Sequence, residues 1–370
     1  MLPAVRQRLR ELGYAVGRFP AGERNALVDV PGVLVGHRTM VEGDRLRTGV
    51  SAILPHGGNL YEDKVLGACH TINGYGKPAG LSQLEELGTF ESPILLTNTL
   101  SVGPVWEGGV RHLLEQNPDA ARDRDTVNVV VGECFDGWLN DARALSVRPE
   151  HALEAIAAAS EAEPGEGAVG AGTGTTCFGF KAGVGTSSRV VDGHALGCLV
   201  VSNYGARRDL HLLVGPGAEM PEGGSEPPAQ GGSIMIVMGT DAPLSERQLR
   251  RLAARGAFGL GRAGSFASNS SGEYVISFST AQTVPHRVNR DRDELTFLRD
   301  DSVAVRNLFE AAGDVVQESI LNSLCSADAM EGRDGNRAEA FPYELLEGMR
   351  LTQSGSGPRS GGGSLKGPPA

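Results

Sequence analysis

In the stretch "AQGGSIMIVMGTDAPL" (residues 229–244) one hydroxyl residue, Ser233, stands between Gly231-Gly232 and the apolar run Ile234-Met235-Ile236-Val237-Met238. Upstream lies a strongly structure-breaking segment, "GPGAEMPEGGSEPPAQGG". A serine hydroxyl is a weak nucleophile unless a base stands beside it. Were Ser233 the first residue of a chain, its own α-amine could be that base. An α-amine titrates near 7.7–8, so a useful fraction is neutral around pH 7–8, unlike a lysine amine at about 10.4. An internal serine could reach that state by attacking the Gly232 carbonyl, giving an ester that water hydrolyses. Glycine leaves that carbonyl open and tolerates the backbone angles of a bent scissile bond. A rigid strand behind the serine would hold the hydroxyl in place. The same residues also suit a plain junction of loop and strand, which needs no chemistry.

The rest of the chain must supply whatever positions such a serine. It has 370 residues, 40% of them hydrophobic and 21% charged, enough for a sizeable core. The net charge of −11 argues against nucleic-acid partners. No run approaches the roughly 20 apolar residues of a membrane span. The N-terminus, charged throughout, predicts no signal peptide. Cys69, Cys134, Cys177, Cys198 and Cys325 are scattered and odd in number, which predicts buried free thiols in a reducing cytoplasm rather than disulfides or zinc.

The 52 glycines are not periodic and punctuate apolar runs, the pattern of a sheet-rich fold. "NALVDVPGVLVGH", "GVSAILP", "SPILLTN", "TVNVVVGE", "GHALGCLVVSN", "LHLLVG" and "EYVISFST" read as strands. "LSQLEEL", "GPVWEGGVRHLLEQ", "PEHALEAIAAASEA", "SERQLRRLAARGAFGL" and the long "DSVAVRNLFEAAGDVVQESILNSLCSA" read as helices. The fourth of these carries a Ser245/Gln248 capping-box spacing. Residues 1–352 show no composition shift and read as one domain; 353–370, rich in Gly, Ser and Pro, read as a disordered tail. "GAGTGTT" (170–176) lacks a phosphate-loop lysine and reads as a turn where the backbone passes close to a neighbour. G-x-S-x-G and H-E-x-x-H are absent, and no histidines stand at metal-ligand spacing.

From about residue 22 to 352, eight blocks in order, among them "ALVDVPGVLVGH", "INGYGKPAGLSQLEELGTFESPILLTNTLSVG", "GECFDGWLND", "GAGTGTTCFGFKAGVGTSSRVV", "LVVSNYG" and "GGSIMIVMGTDAPL", resemble the L-aminopeptidase D-amidase/D-esterase family, which includes the β-peptidyl aminopeptidases. The resemblance implies an α/β fold, a four-layer α/β/β/α sandwich like that of N-terminal-nucleophile hydrolases and shared with ornithine acetyltransferase. It implies self-cleavage at Gly232–Ser233 into a large chain 1–232 and a small chain from 233. It also implies no cofactor or metal, a small peptide or amide substrate, and a homo-oligomer. Ser233 then matches the nucleophile, and Asn203 the side-chain amide that donates to the oxyanion. Ser271 and Glu273 match a Ser-x-Glu pair near the nucleophile's amine and hydroxyl. Their two-residue spacing at a strand start puts both on one face. Glu133 matches the acid that receives the substrate's ammonium, and Trp138 a wall of the pocket. An acyltransferase, a hydrolase of linear amide oligomers, and an unprocessed binding protein are the alternatives.

Overall fold

The computed structural model describes residues 6–122, 125–214, 232–287, 291–349 and 351–353. Numbered in chain order, β1 (Tyr14–Ala15) pairs with β16 (Thr352–Gln353) near the two ends of the described chain. One main sheet holds β2 (Leu34–Glu42), β3 (Leu46–Leu54), β6 (Ile94–Asn98) and β7 (Val130–Cys134), in that order. The other holds β10 (Val184–Val191), β11 (His194–Asn203), β12 (Gly232–Thr240), β13 (Ser271–Pro285), β4 (Asp63–Gly74) and β5 (Thr89–Phe90), also in that order. Two short hairpins complete the strands: β8 (Thr176–Cys177) with β9 (Phe180–Lys181), and β14 (Met330–Glu331) with β15 (Arg337–Ala338).

The apolar run after Ser233 is β12, and its continuity has a physical reason. Ile234 to Met238 are all fully buried. Ile234, Ile236 and Met238 face one apolar cluster and Met235 and Val237 another. A strand covered on both faces needs apolar residues at every position rather than every second one. The first cluster lies between the six-stranded sheet and helices α5 (Glu246–Arg262) and α6 (Val303–Cys325). The second joins the two sheets, with Val35, Ile53 and Leu96 meeting Leu199, Met235 and Ile276. A third lies between the four-stranded sheet and helices α2 (Val102–Gln116) and α3 (Pro149–Ala157). Three apolar layers separate four layers of structure, α/β/β/α.

Local signals set the helix ends. Ser245 Oγ accepts the Gln248 N–H at 3.3 Å, and Gln248 Oε1 accepts the Ser245 N–H at 2.9 Å, the reciprocal cap expected from their spacing. α1 (Leu81–Leu87) stops at Gly88 in the left-handed region. "GAGTGTT" is a close backbone passage: a Cβ on Gly172 would collide with the Val184 amide nitrogen.

Two expectations are corrected. "LHLLVG" is not a strand; His211–Val214 form the short helix α4, and residue 215 lies outside the described residues. Leu210, Leu213 and Val214 are buried while Leu212 is 43% exposed, which is helical spacing. In "NALVDVPGVLVGH" only the part from Leu34 is strand. Leu27–Asp29 form a 3-10 turn whose Asp29 carboxylate accepts the Arg24 and Ala26 N–H groups. Of the expected tail, Gln353 pairs in β16, and 354–370 lie outside the described residues, as does the linker 215–231.

An ion cluster pins α6 to the sheet. Glu318 accepts from Arg189 at 2.5 Å, from Arg10 at 2.7 Å and from Asn25 at 2.6 Å, with Glu318 and Arg189 side chains fully buried. Burial would raise the Glu318 pKa, but Arg189, Arg10 and Asn25 outweigh it and hold it below the ordinary carboxylate value. A depressed carboxylate contributes stability above its unfolded pKa of about 4.3 and loses it as pH falls through the folded value. Glu318→Ala is expected to destabilise the fold by about 3–5 kcal/mol, because Arg189 stays buried without its anion. Denaturant unfolding near neutral pH measures this; a loss below 1 kcal/mol would show the cluster to be dispensable.

Candidate active site

Three neighbouring strands end together around Ser233. Asn203, the last residue of β11, pairs across from it, and on the other side β13 runs parallel with Gly272 in register. Paired residues share a face, so Asn203, Ser233 and Gly272 look toward the layer between the sheets. Ser271 and Glu273 share the opposite face with Gly232 and Ile234, so the two lie on one face as their spacing predicts. Between the Ser233 side chain and the Ser/Glu pair lies the Gly232–Ser233 linkage itself. The Ser271 hydroxyl would be 3.1 Å from a Cβ on Gly232. The pair therefore adjoins the backbone nitrogen end of Ser233 more than its hydroxyl.

Ser233 is 3% exposed, and its Oγ accepts the backbone N–H of Phe135 at 3.2 Å. The Asn203 carboxamide oxygen accepts the Thr176 N–H at 3.2 Å, which leaves its NH₂ as the group that side chain can present to the cavity. Ser271 Oγ and both carboxylate oxygens of Glu273 are buried without a hydrogen-bond partner among the described residues. Burial raises the Glu273 pKa, with the neighbouring Ser271 hydroxyl opposing. Buried polar groups are nearly always satisfied, so the Ser271 hydroxyl beside the Gly232–Ser233 link and the nearby Glu273 carboxylate call for a donor that the described residues do not supply.

Glu133 sits at the end of β7, 4% exposed, with one oxygen accepting the Lys77 N–H at 2.9 Å and the other the Thr99 hydroxyl. It stands two residues before Phe135, within about 7 Å of chain. Trp138 follows in the same loop. Its carbonyl accepts from Asn336 at 2.9 Å, and the Arg333 guanidinium donates to Gly137 O at 2.7 Å, so residues 333–336 brace this wall. Ser233, Asn203, Ser271, Glu273, Glu133 and Trp138 all line one cavity of about 750 Å³.

The structure adds residues that the sequence did not single out. Phe135, Lys77 and Thr176 act through backbone N–H groups, which every residue but proline carries, so their side-chain types give no signal. Thr99 follows Asn98, whose carboxamide accepts the Leu100 N–H, and this turn aims the Thr99 hydroxyl at Glu133. Among the described residues no group of three His, Cys, Asp or Glu side chains is placed to hold a metal ion. All five cysteines are buried and unpaired.

Residues 25–338 match the model of peptidase family S58. The chain is 37% identical to a β-peptidyl aminopeptidase, BapA, of Sphingosinicella microcystinivorans, over 92% of this chain and 91% of that protein. Its fold is similar to that of the PH0078 protein from Pyrococcus horikoshii OT3, with a TM-score of 0.83 and 43% identity over 92% of this chain and 98% of that one. It is also similar to the L-aminopeptidase D-Ala-esterase/amidase of Ochrobactrum anthropi, described as a prototype for the serine aminopeptidases and a new variant of the Ntn-hydrolase fold. There the TM-score is 0.82, with 32% identity over 92% of this chain and 96% of that one. The fold is an Ntn-hydrolase fold and the chain a serine aminopeptidase. The chain belongs to peptidase family S58.

Proposed function

We propose that the chain cuts its own Gly232–Ser233 bond and then releases N-terminal residues from short peptides or amides through an acyl-enzyme on Ser233. The observation that supports this reading is the unpartnered Ser271 hydroxyl beside the Gly232–Ser233 linkage, with the unpartnered Glu273 carboxylate two residues further along β13 in the same cavity. Cutting that bond would create a new α-amine, the donor these oxygens lack. In the cut the Ser233 hydroxyl attacks the Gly232 carbonyl, the amide shifts to an ester, and water hydrolyses it. In turnover the freed amine accepts the proton of its own hydroxyl as Oγ attacks the substrate carbonyl. The Asn203 NH₂ donates to the developing oxyanion. The amine returns the proton to the leaving nitrogen, and water then removes the acyl group.

On this reading Glu133 receives the substrate's ammonium and Trp138 walls the pocket. The mature molecule is a large chain 1–232 and a small chain from Ser233. Buried free thiols suit the reducing cytoplasm, and a homo-oligomer of these cut protomers is what the family resemblance implies. A denaturing gel with N-terminal sequencing tests the core of it: two fragments from the 38.7 kDa chain, the smaller starting at Ser233. One unsplit and active band refutes it.

The same chemistry sets a pH dependence. The base works only when neutral, so kcat at saturating substrate should rise with pH through a group near 7.7–8, the usual α-amine range, while kcat/KM falls again at higher pH as the free substrate loses the ammonium that Glu133 reads. A kcat profile flat between about pH 6 and 9 excludes the amine as base.

A further inference from the structure

Lys181, at the end of β9, is fully buried, yet it makes no ion pair among the described residues. Its ammonium instead donates to three main-chain carbonyls: Gly172 at 3.1 Å, Thr175 at 2.9 Å, and Ala182. Three acceptors use all three N–H groups, and a neutral amine could satisfy only two of them. Burial draws the Lys181 pKa down to about 7, with Asp136 opposing, so this is a costly residue to enclose. A well-packed apolar side chain would fill the same space at lower cost. The charge therefore calls for a reason in what it holds.

It holds the turn and hairpin that face Asn203. Residues Gly170–Gly172 form a 3-10 turn, and Thr173 and Thr175 hydroxyls return to the Gly170 and Gly172 carbonyls at 2.6 and 3.1 Å. The β8–β9 hairpin closes through Phe178 and Gly179, both at positive φ, 52° and 72°. The Phe178 N–H is tied to Tyr204 O at 2.9 Å, next to Asn203. Thr176, which follows the Lys181-bound Thr175 and pairs with Lys181 across the hairpin, donates its N–H to the Asn203 carboxamide oxygen. One short path thus runs from ammonium to carbonyl to N–H to carboxamide.

We infer that Lys181 is a positioning residue for turnover: its ammonium clamps the 172–182 turn so that the Thr176 N–H holds Asn203 with its NH₂ toward the carbonyl under attack. The inference rests on the assignment of Asn203 to the oxyanion. A displacement of about 1 Å in such a donor costs on the order of 10²-fold in rate, while Glu133 is held by the Lys77 N–H and the Thr99 hydroxyl, outside this hairpin. Lys181→Met should therefore lower kcat by roughly 10–100-fold with little change in KM.

A double-mutant cycle on the processed enzyme tests this, with kcat and KM measured for wild type, Lys181→Met, Asn203→Ala and the pair, and thermal midpoints alongside. Asn203→Ala alone should lower kcat by about 10²–10³. Adding Lys181→Met to it should then cost nothing more in kcat, whatever happens to the thermal midpoint. Equal losses from Lys181→Met in both backgrounds would overturn the inference and leave Asn203 in its role. So would an unchanged kcat in Lys181→Met alone. Near-normal turnover in Asn203→Ala would remove the Asn203 assignment itself, and the inference with it. Where Lys181→Met does not fold or process, Lys181→Arg, which keeps the charge but cannot reach three carbonyls with one planar fork, goes through the same cycle with the same kcat and KM readout.

Discussion

Ser233→Ala should leave the chain as a single band of 38.7 kDa and lower peptide hydrolysis by on the order of 10⁶, the scale of losing a catalytic nucleophile. Two effects combine here. On the proposed mechanism the hydroxyl that attacks the Gly232 carbonyl is the same atom that attacks substrate, and without the first event the second has no amine to serve it. The alanine methyl fits where the serine Cβ already stands, and the Phe135 N–H loses only one 3.2 Å contact, so the variant should fold. That makes it a clean reporter: an intact, folded, inactive chain. Ser233→Cys keeps a nucleophile and should still cut, more slowly or faster as its thiolate fraction dictates. Cleavage of Ser233→Ala at Gly232–Ser233 would assign the cut to an outside protease. Activity in the uncut variant would remove Ser233 from the mechanism altogether.

The second large effect belongs to Glu133. An aminopeptidase must tell the end of a peptide from its interior, and the ammonium is the end's distinguishing group. A buried carboxylate reads it through a charge-assisted hydrogen bond. Removing one partner of a buried charged pair costs roughly 2–5 kcal/mol, a fall of about 30- to 5,000-fold in kcat/KM. Glu133→Gln is the informative change, because its carbonyl can still accept from Lys77 or Thr99 while the charge is gone. Self-cleavage involves no substrate amine and should proceed at nearly its normal rate. N-acetylation of an alanine p-nitroanilide should abolish its turnover by the unaltered enzyme. Equal rates on free and acetylated substrate would make the enzyme a general amidase and deprive Glu133 of this role.

How much of this could be read in the sequence depended on where the information was carried. β12 announced itself because five consecutive apolar residues, rich in Ile and Val and bounded by Gly-Gly-Ser upstream and Gly239 downstream, suit a strand covered on both faces. α5 announced itself through the Ser245–Gln248 cap. "LHLLVG" misled because its apolar density suits a strand while its burial has helical spacing, and short apolar runs do not separate the two. "SNSSGE" looks like a polar turn, and nothing local says that Ser271 and Glu273 are buried beside a glycine on the neighbouring strand. Only the resemblance brought them forward. The contacts of Phe135, Lys77 and Thr176 were illegible in principle, since a main-chain N–H has no letter in the sequence. Lys181 was visible only as one lysine in a glycine-rich block; its three carbonyl partners exist only once that block has turned on itself.

The strand order of the six-stranded sheet has a consequence for the life history of the molecule. All of β12 but its first residue, and all of β13, lie after the Gly232–Ser233 bond, whereas their outer neighbours β11 and β4 lie before it. A cut at that bond would therefore produce two pieces woven through one another, the later piece held in the middle by the earlier one on both edges. No tether is needed to keep such pieces together, because separating them means tearing two ladders out of a dry core. Assembly is the reverse case. In the uncut chain the middle strands find their places as an intramolecular event, at the high effective concentration a covalent linker supplies. Once severed, unfolded pieces must meet by diffusion and insert two strands into a gap that earlier folding would already have closed. Were it cut, the bond at Gly232–Ser233 would act as a scaffold for construction that the finished building does without, and each copy of the chain would have a single favourable occasion on which to fold.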